Sequence, residues 1–260
     1  MAFATLYSGA RAAGLALLLG VGLPAAAVAV EGAGSVQALR TFEQARKAHQ
    51  DEPKNAAASW KFGRACFELA EFATNKTERA QIAEQGLAAC REVVAVQPDS
   101  APGHYYLGLN LGQLARTRGL GALRLVNQME HEFLRAQELD SSLNYAGPDR
   151  ALGSLYLDAP TIGSVGSRTK ARQHLLRAIE LAPRFPENRL NFIEAQVKWN
   201  ERNGARHDLK ELQELLPAVR KEFEGPAWVE EWKDWDSRLD SLEKDLEKQS
   251  RAIDSPRGKS

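Results

Sequence analysis

From about residue 35 the apolar residues fall three and four apart, β-branched alternation is absent, and proline and glycine gather between the periodic stretches. That spacing predicts an all-α chain. It places an N-terminal segment and helix over 30–54, around Phe42, then helix pairs over about 55–97, 101–139, 147–182 and 186–216. A last helix is expected over 226–252, with Trp228, Trp232, Trp235, Leu239, Leu242 and Leu246 on one stripe and charged residues on the other face. Residues 253–260 read as a disordered tail.

The helical stretches repeat. "FGRACFELAEF" (62–72), "LGLNLGQLAR" (107–116) and "LGSLYLDAP" (152–160) each open on a large apolar residue followed by glycine. "FLRAQELD" (133–140) and "LLRAIELAP" (175–183) agree at nearly every position, and "CREVVAVQP" (90–98) agrees more loosely. The pattern resembles the tetratricopeptide repeat, whose first helix carries an aromatic-Leu-Gly signature and whose second ends in A-x-E-L-x-P. The resemblance implies a stack of about four helix pairs over 55–217, the fourth degenerate because "ENRLNFIEAQVKWN" lacks the glycine. Gly63, Gly108 and Gly153 would remove a side chain where two helices cross, with Ala171 and Ala178 supplying a matching small surface. Pro98 and Pro183 would end second helices. Such a stack needs an end that buries its last apolar face, a task suited to the helix at 226–252. A coiled-coil dimer helix is the other reading of that stripe.

Residues 146–196, "AGPDRALGSLYLDAPTIGSVGSRTKARQHLLRAIELAPRFPENRLNFIEAQ", also resemble the T-component family of TRAP transporters. The shared elements are a Gly-rich entry, an Arg, L-G-x-L-Y, A-P, a Gly turn, K-A and A-x-E-L-x-P-x-F. Two departures stand out: Ser167 follows Gly166 where the family commonly has Asp, and the signal region is not followed by a lipid-attachment cysteine. The resemblance implies an exported adaptor whose partner is a periplasmic solute-binding protein.

The N-terminus carries an export pattern. Arg11 precedes the apolar run "AAGLALLLGVGL" (12–23), Pro24 breaks it, and Ala27-Val28-Ala29 has the small-x-small form of a cleavage site. A signal peptide over 1–29 is expected; an uncleaved anchor running to Val30 is the rival reading. The mature chain would be periplasmic, without stable membrane insertion. Lys+Arg and Asp+Glu are 34 each, so there is no global basic field to draw nucleic acid. Two cysteines in an oxidising compartment suggest a Cys66–Cys90 disulfide across the seam of the first pair; two buried free thiols are the alternative.

Catalytic signatures are missing. "PTIGSVGSRTKAR" (160–172) has its glycines too close, and Lys170 too late, for a phosphate loop, so it reads as an enlarged interhelix turn, like "RTRGLGALRLV" (116–126). No His pair has ligand spacing, there is no G-x-S-x-G, and the sequon Asn75-Lys76-Thr77 reads as a turn. No enzyme activity, metal or cofactor is expected. The expected function is binding of a protein or peptide in a groove formed by first-helix residues: Trp60, Arg64 and Phe67; Tyr105, Leu109 and Gln113; Arg150, Ser154 and Asp158. An envelope-assembly scaffold unrelated to transport is the alternative.

The export reading has a direct check. Expressed in a bacterium with a periplasm, the chain should be recovered there with Val30 as its N-terminal residue by Edman sequencing.

Overall fold

The computed structural model describes residues 33–119 and 121–254; the expected signal peptide and most of the expected tail lie outside them. Helices follow one another along the described chain: α1 (Ala33–Asp51), α2 (Ala56–Ala70), α3 (Lys76–Val96), α4 (Ala101–Ala115), α5 (Ala122–Leu139), α6 (Leu143–Asp158), α7 (Arg168–Leu181), α8 (Pro186–Lys198), α9 (Arg202–Glu222) and α10 (Val229–Asp254), with a 3₁₀ turn at Pro226–Trp228. The architecture is an all-α helical repeat stack without strands among the described residues. It divides into two compact units, one ending at Ala171 and the other beginning at Arg172.

Local chemistry sets the starts of the early helices. Asn55 Oδ1 accepts from the amides of Ala57 and Ala58 at 2.9 and 3.2 Å, and Ser100 Oγ from that of Gly103 at 3.2 Å. Asn75, the sequon residue, caps α3: its Oδ1 accepts from Glu78 N at 2.9 Å, while Glu78 Oε2 reaches back to Thr74 N at 2.8 Å. Pro102 and Pro186 occupy first turns, where the missing amide has no intrahelical role.

In the first unit the helices meet at glycines. A Cβ built on Gly63 would lie 2.2 Å from Cys90 Sγ, and one on Gly108 2.4 Å from the Phe133 ring. A Cβ on Gly86 would lie 2.4 Å from Asn110 Oδ1. Asn110, fully buried, donates at 2.8 Å to the carbonyls of both Gly63 and Tyr106, tying α2 to α4 beside α3. Because α4 packs against α2, α3, α5 and α6, it is buried over nearly its whole circumference. Phe42 of α1 closes the near end against Phe62, their rings 5.5 Å apart.

α6 departs from the regular pair read at 147–182. Its first turn is left-handed at Asn144, Tyr145 and Ala146 (φ 49°, 56° and 62°). Non-glycine residues in that region cost about 1–2 kcal/mol each, so something must hold them. Buried Arg150 does so in part, donating to Tyr145 O at 3.0 Å and Asn144 O at 3.3 Å.

In the second unit α9 runs through Pro217 to Glu222, beyond the end expected near 216. The proline forfeits one helical hydrogen bond, but Val219 and Phe223 beyond it are buried in the core and keep the segment helical. That core joins Phe185, Leu190 and Ile193 to Leu209, Leu212 and the α10 stripe. Within a single chain Trp235, Leu239, Leu242 and Leu246 are each 5% exposed or less. α10 therefore buries these four positions of its stripe on α8 and α9, as a capping helix does, with Trp228 and Trp232 half-buried beside them. Trp232 Nε1 donates to Phe223 O at 2.7 Å, and Arg238 bonds both Glu194 oxygens at 2.8 and 2.9 Å.

The glycine contacts predict the sign of a mutation. Gly108→Leu should lower stability by about 1–3 kcal/mol through overpacking, read as a depressed thermal midpoint. Gly119→Ala, where a Cβ meets nothing within 4 Å, should leave the midpoint within experimental error.

Candidate interaction surface

The nine residues expected to line a groove all fall on α2, α4 and α6, but they do not share one accessible wall. Trp60 and Phe67 are half-buried and Arg64 is exposed. Tyr105, Leu109, Gln113, Arg150, Ser154 and Asp158 are all buried. Tyr105 is fully enclosed: its ring lies 6.2 Å from that of Phe133, its hydroxyl 3.4 Å from Asn144 Nδ2, and a Cβ on Gly147 would come within 2.6 Å of that hydroxyl. The neighbouring helices fill the space that an open groove would need.

Gln113 is committed to a polar cluster. It accepts from Arg79 Nη1 at 2.6 Å and donates to Glu71, which also receives Arg116 Nη1 at 3.0 and 2.9 Å on its two oxygens. Burial, followed by the charge of Arg116, holds the Arg79 guanidinium below its ordinary pKa. Gln113, Glu71 and Arg116 border a cavity of about 20 Å³ whose apolar walls are Phe67, Leu109, Met129 and Phe133. That is room for about one water, not for a peptide side chain.

What remains accessible is the outer face of α2. Trp60 stacks parallel on Tyr106, centroids 5.8 Å apart and planes within 2°, and Lys61 Nζ lies 5.8 Å from the Trp60 ring. One turn on, Arg64 Nε donates to Glu68 at 2.6 Å. Tyr106, not Tyr105, is the α4 aromatic beside Trp60. Burial pushes its phenol well above the usual range, with Arg64 as the largest opposing influence. The doublet Tyr105-Tyr106 was visible in the sequence, but adjacent helical residues point about 100° apart. Only the crossing of α2 over α4 decides which of them meets Trp60.

The other candidate chemistry resolves into packing. Cys66 and Cys90 are free and fully buried, not bridged as expected. The Cys90 sulfur occupies the space that glycine leaves at Gly63, which assigns it to the helix seam as a small hydrophobe. Burial pushes the Cys90 thiol up to about 12, and burial together with Cys90 raises that of Cys66. His104 is buried with its ring nitrogens 2.6 Å from Glu132 Oε2 and 3.1 Å from Pro98 O, and His49 stacks on Phe62. His207, Asp208 and Glu211 gather on α9 with ligand atoms within 4.8 Å of one another. They sit at the surface, where His207 and Glu211 form an i,i+4 pair at 3.3 Å.

Comparison with known proteins fits this picture. The family model described as "RMD1-3: Regulator of microtubule dynamics protein 1-3" matches residues 27–145. No curated protein matches the sequence. Among solved structures, the crystal structure of TTC0263, a thermophilic TPR protein in Thermus thermophilus, is similar with a TM-score of 0.59. Identity is 17%, covering 80% of this chain and 94% of that one. Yeast Tom70 gives a TM-score of 0.36 at 9% identity, over 85% of this chain and 61% of its own. The likeness to TTC0263 shows a tetratricopeptide-like fold.

Enclosed, fully protonated thiols are unreactive. The native protein should therefore leave both cysteines unlabelled by Ellman's reagent at neutral pH, and two thiols per chain should appear once guanidinium unfolds it.

Proposed function

We propose that this protein is a non-enzymatic adaptor that binds a partner protein or peptide, and that the outer face of α2 is where it does so. The observation that carries the reading is the stacked Trp60–Tyr106 pair with Lys61, Arg64 and half-buried Phe67 beside it. Aromatic and arginine side chains on a rigid helix face are the composition of binding hot spots, because they bring large contact area at little cost in conformational entropy. The stacked helices behind them, locked by Asn110 and the glycine contacts, supply that rigidity.

The setting we infer is export. The apolar run at 12–23 and the Ala27-Val28-Ala29 site support it, and the likeness of 146–196 to TRAP T-components supports a periplasmic solute-binding protein as partner. An envelope-assembly scaffold shares the same surface and differs only in its partner.

Hot-spot truncations cost about 2 kcal/mol or more each, or some thirtyfold in affinity. A Trp60→Ala, Arg64→Ala, Phe67→Ala variant that melts as a folded protein should lose at least that factor toward the partner recovered from periplasmic extract. Undiminished affinity would remove α2 as the binding face. Recovery of a solute-binding protein would favour transport, and recovery of an envelope component the scaffold.

A further inference from the structure

The short connections of the first unit alternate between two edges, because helices joined by short turns run antiparallel. The turns α2–α3, α4–α5 and α6–α7 therefore share one edge. Side-chain contacts agree: Arg116, just past α4, bonds Glu71, just past α2, and Arg79 Nη2 reaches Ala73 O at 3.5 Å while its Nη1 holds Gln113 near the end of α4. Lys170, at the start of α7, reaches Glu130 of α5 at 3.3 Å.

Charge is segregated between the edges. Segments 71–78, 116–124 and 158–170, the turns together with the helix starts that follow them, carry Lys76, Arg116, Arg118, Arg124, Arg168 and Lys170 against Glu71, Glu78 and Asp158, the last two of them buried. At the other edge, segments 51–55, 97–100 and 140–142 carry Asp51, Glu52, Asp99 and Asp140 against Lys54. In a chain of zero formal net charge this gives the first unit one cationic and one anionic edge. Acids on the adjoining helices answer part of the excess, Glu84 pairing with Arg118 at 3.2 Å and Glu130 with Lys170. Lys76 and Arg124 are exposed and have no ion-pair partner among the described residues.

Apolar side chains protrude from the same cationic edge. Phe72 and Leu123 are exposed, and Ile162 stands 91% exposed at the tip of the enlarged 160–167 turn. That turn is fixed. Ser167 N donates to Tyr156 O at 2.9 Å and Gly166 N to Pro160 O at 3.1 Å. Gly163 takes the left-handed conformation (φ 75°), and a Cβ on Gly166 would lie 2.0 Å from Ala159 O. Lys170 packs over the Tyr156 ring at 4.7 Å, bracing the base. The isoleucine is thus held in water by an ordered backbone, a placement the fold itself does not use.

We propose that this edge docks the first unit onto the surface of an anionic lipid bilayer, with Ile162, Leu123 and Phe72 entering the headgroup–acyl boundary and the flanking lysines and arginines meeting lipid phosphates. The shape favours a bilayer over an acidic protein. The apolar tips belong to three separate segments, Phe72 just past α2, Leu123 in the first turn of α5 and Ile162 in the 160–167 turn, whereas protein hot spots work inside enclosed, well-packed contacts. Protruding apolar groups amid basic ones are what an interfacial site requires. Docking of this kind needs no membrane-spanning helix, and among the described residues no helix is long and apolar enough to span.

The test is co-sedimentation of the full chain with vesicles of phosphatidylglycerol mixed with phosphatidylcholine, and with vesicles of phosphatidylcholine alone. The apolar run at 12–23 is common to every variant, so differences between variants report on the edge. Wild type should prefer the anionic vesicles, and the preference should shrink with added salt. Each basic residue near an anionic surface contributes about fivefold, so Lys76→Glu with Arg124→Glu should weaken anionic binding by at least about tenfold. Ile162→Asp should weaken binding at every salt concentration, and all variants should keep the wild-type melting midpoint because these side chains are exposed. No anionic preference in the wild type, or variants that bind as it does, would overturn the proposal. So would capture of polyglutamate in place of vesicles, which would identify an acidic polypeptide as the ligand.

Discussion

The first unit depends on close approach between helices that lack a side chain where they cross. At Gly63 the vacated space holds the Cys90 sulfur, at Gly108 the Phe133 ring, and at Gly86 the Asn110 amide. Protein interiors are packed like organic crystals, so each contact fixes the offset and rotation of its helix pair to within a fraction of a side chain. Asn110 then converts a steric fit into a directional one, since its amide nitrogen serves carbonyls on two helices at once. The exposed outer face of α2 and the order of the interhelix turns both follow from these seams.

The second constraint is the left-handed turn at 144–146. Three consecutive non-glycine residues in that region are costly, and the structure surrounds them with Arg150, the Tyr105 hydroxyl and the close approach of Gly147. Arg150 and Tyr105 are thereby claimed by the interior. This explains why a set of residues chosen for its binding chemistry contributes only the α2 members to the surface.

In the second unit the fit is aromatic. Trp235 stands edge-on to Phe185 at 5.5 Å and to Trp232 at 4.9 Å, and burial of these rings seals the unit without a partner chain. Arg238 ties α10 to α8 through Glu194 and Asn191, and although burial lowers the pKa of its guanidinium, Glu194, Glu187 and Asp234 hold it above its ordinary value.

The helical period and the Leu-Gly recurrences are local properties, and they were enough to determine an all-α repeat chain, the course of its helix pairs to within about six residues, and two of its crossing glycines, Gly63 and Gly108, though not Gly86. The α10 stripe announced a buried face in the same way. Contacts between helices are another matter. Whether Tyr105 or Tyr106 meets Trp60, whether Cys90 bridges Cys66 or stays a free thiol in the space at Gly63, and whether Pro217 ends α9 each depend on helix rotation and on what lies across the seam. A repeat pattern specifies the period of a side chain but not its neighbour, because rotation by one residue carries it about 100° around the helix. The segregation of basic turns from acidic ones likewise appears only once alternate connections are brought to opposite edges. The sequence by itself determined the helices and the glycines at two of their crossings, because period and repeat are local; the tertiary structure alone decided which side chains the seams consume and which they leave for a partner, because that depends on what lies across each seam.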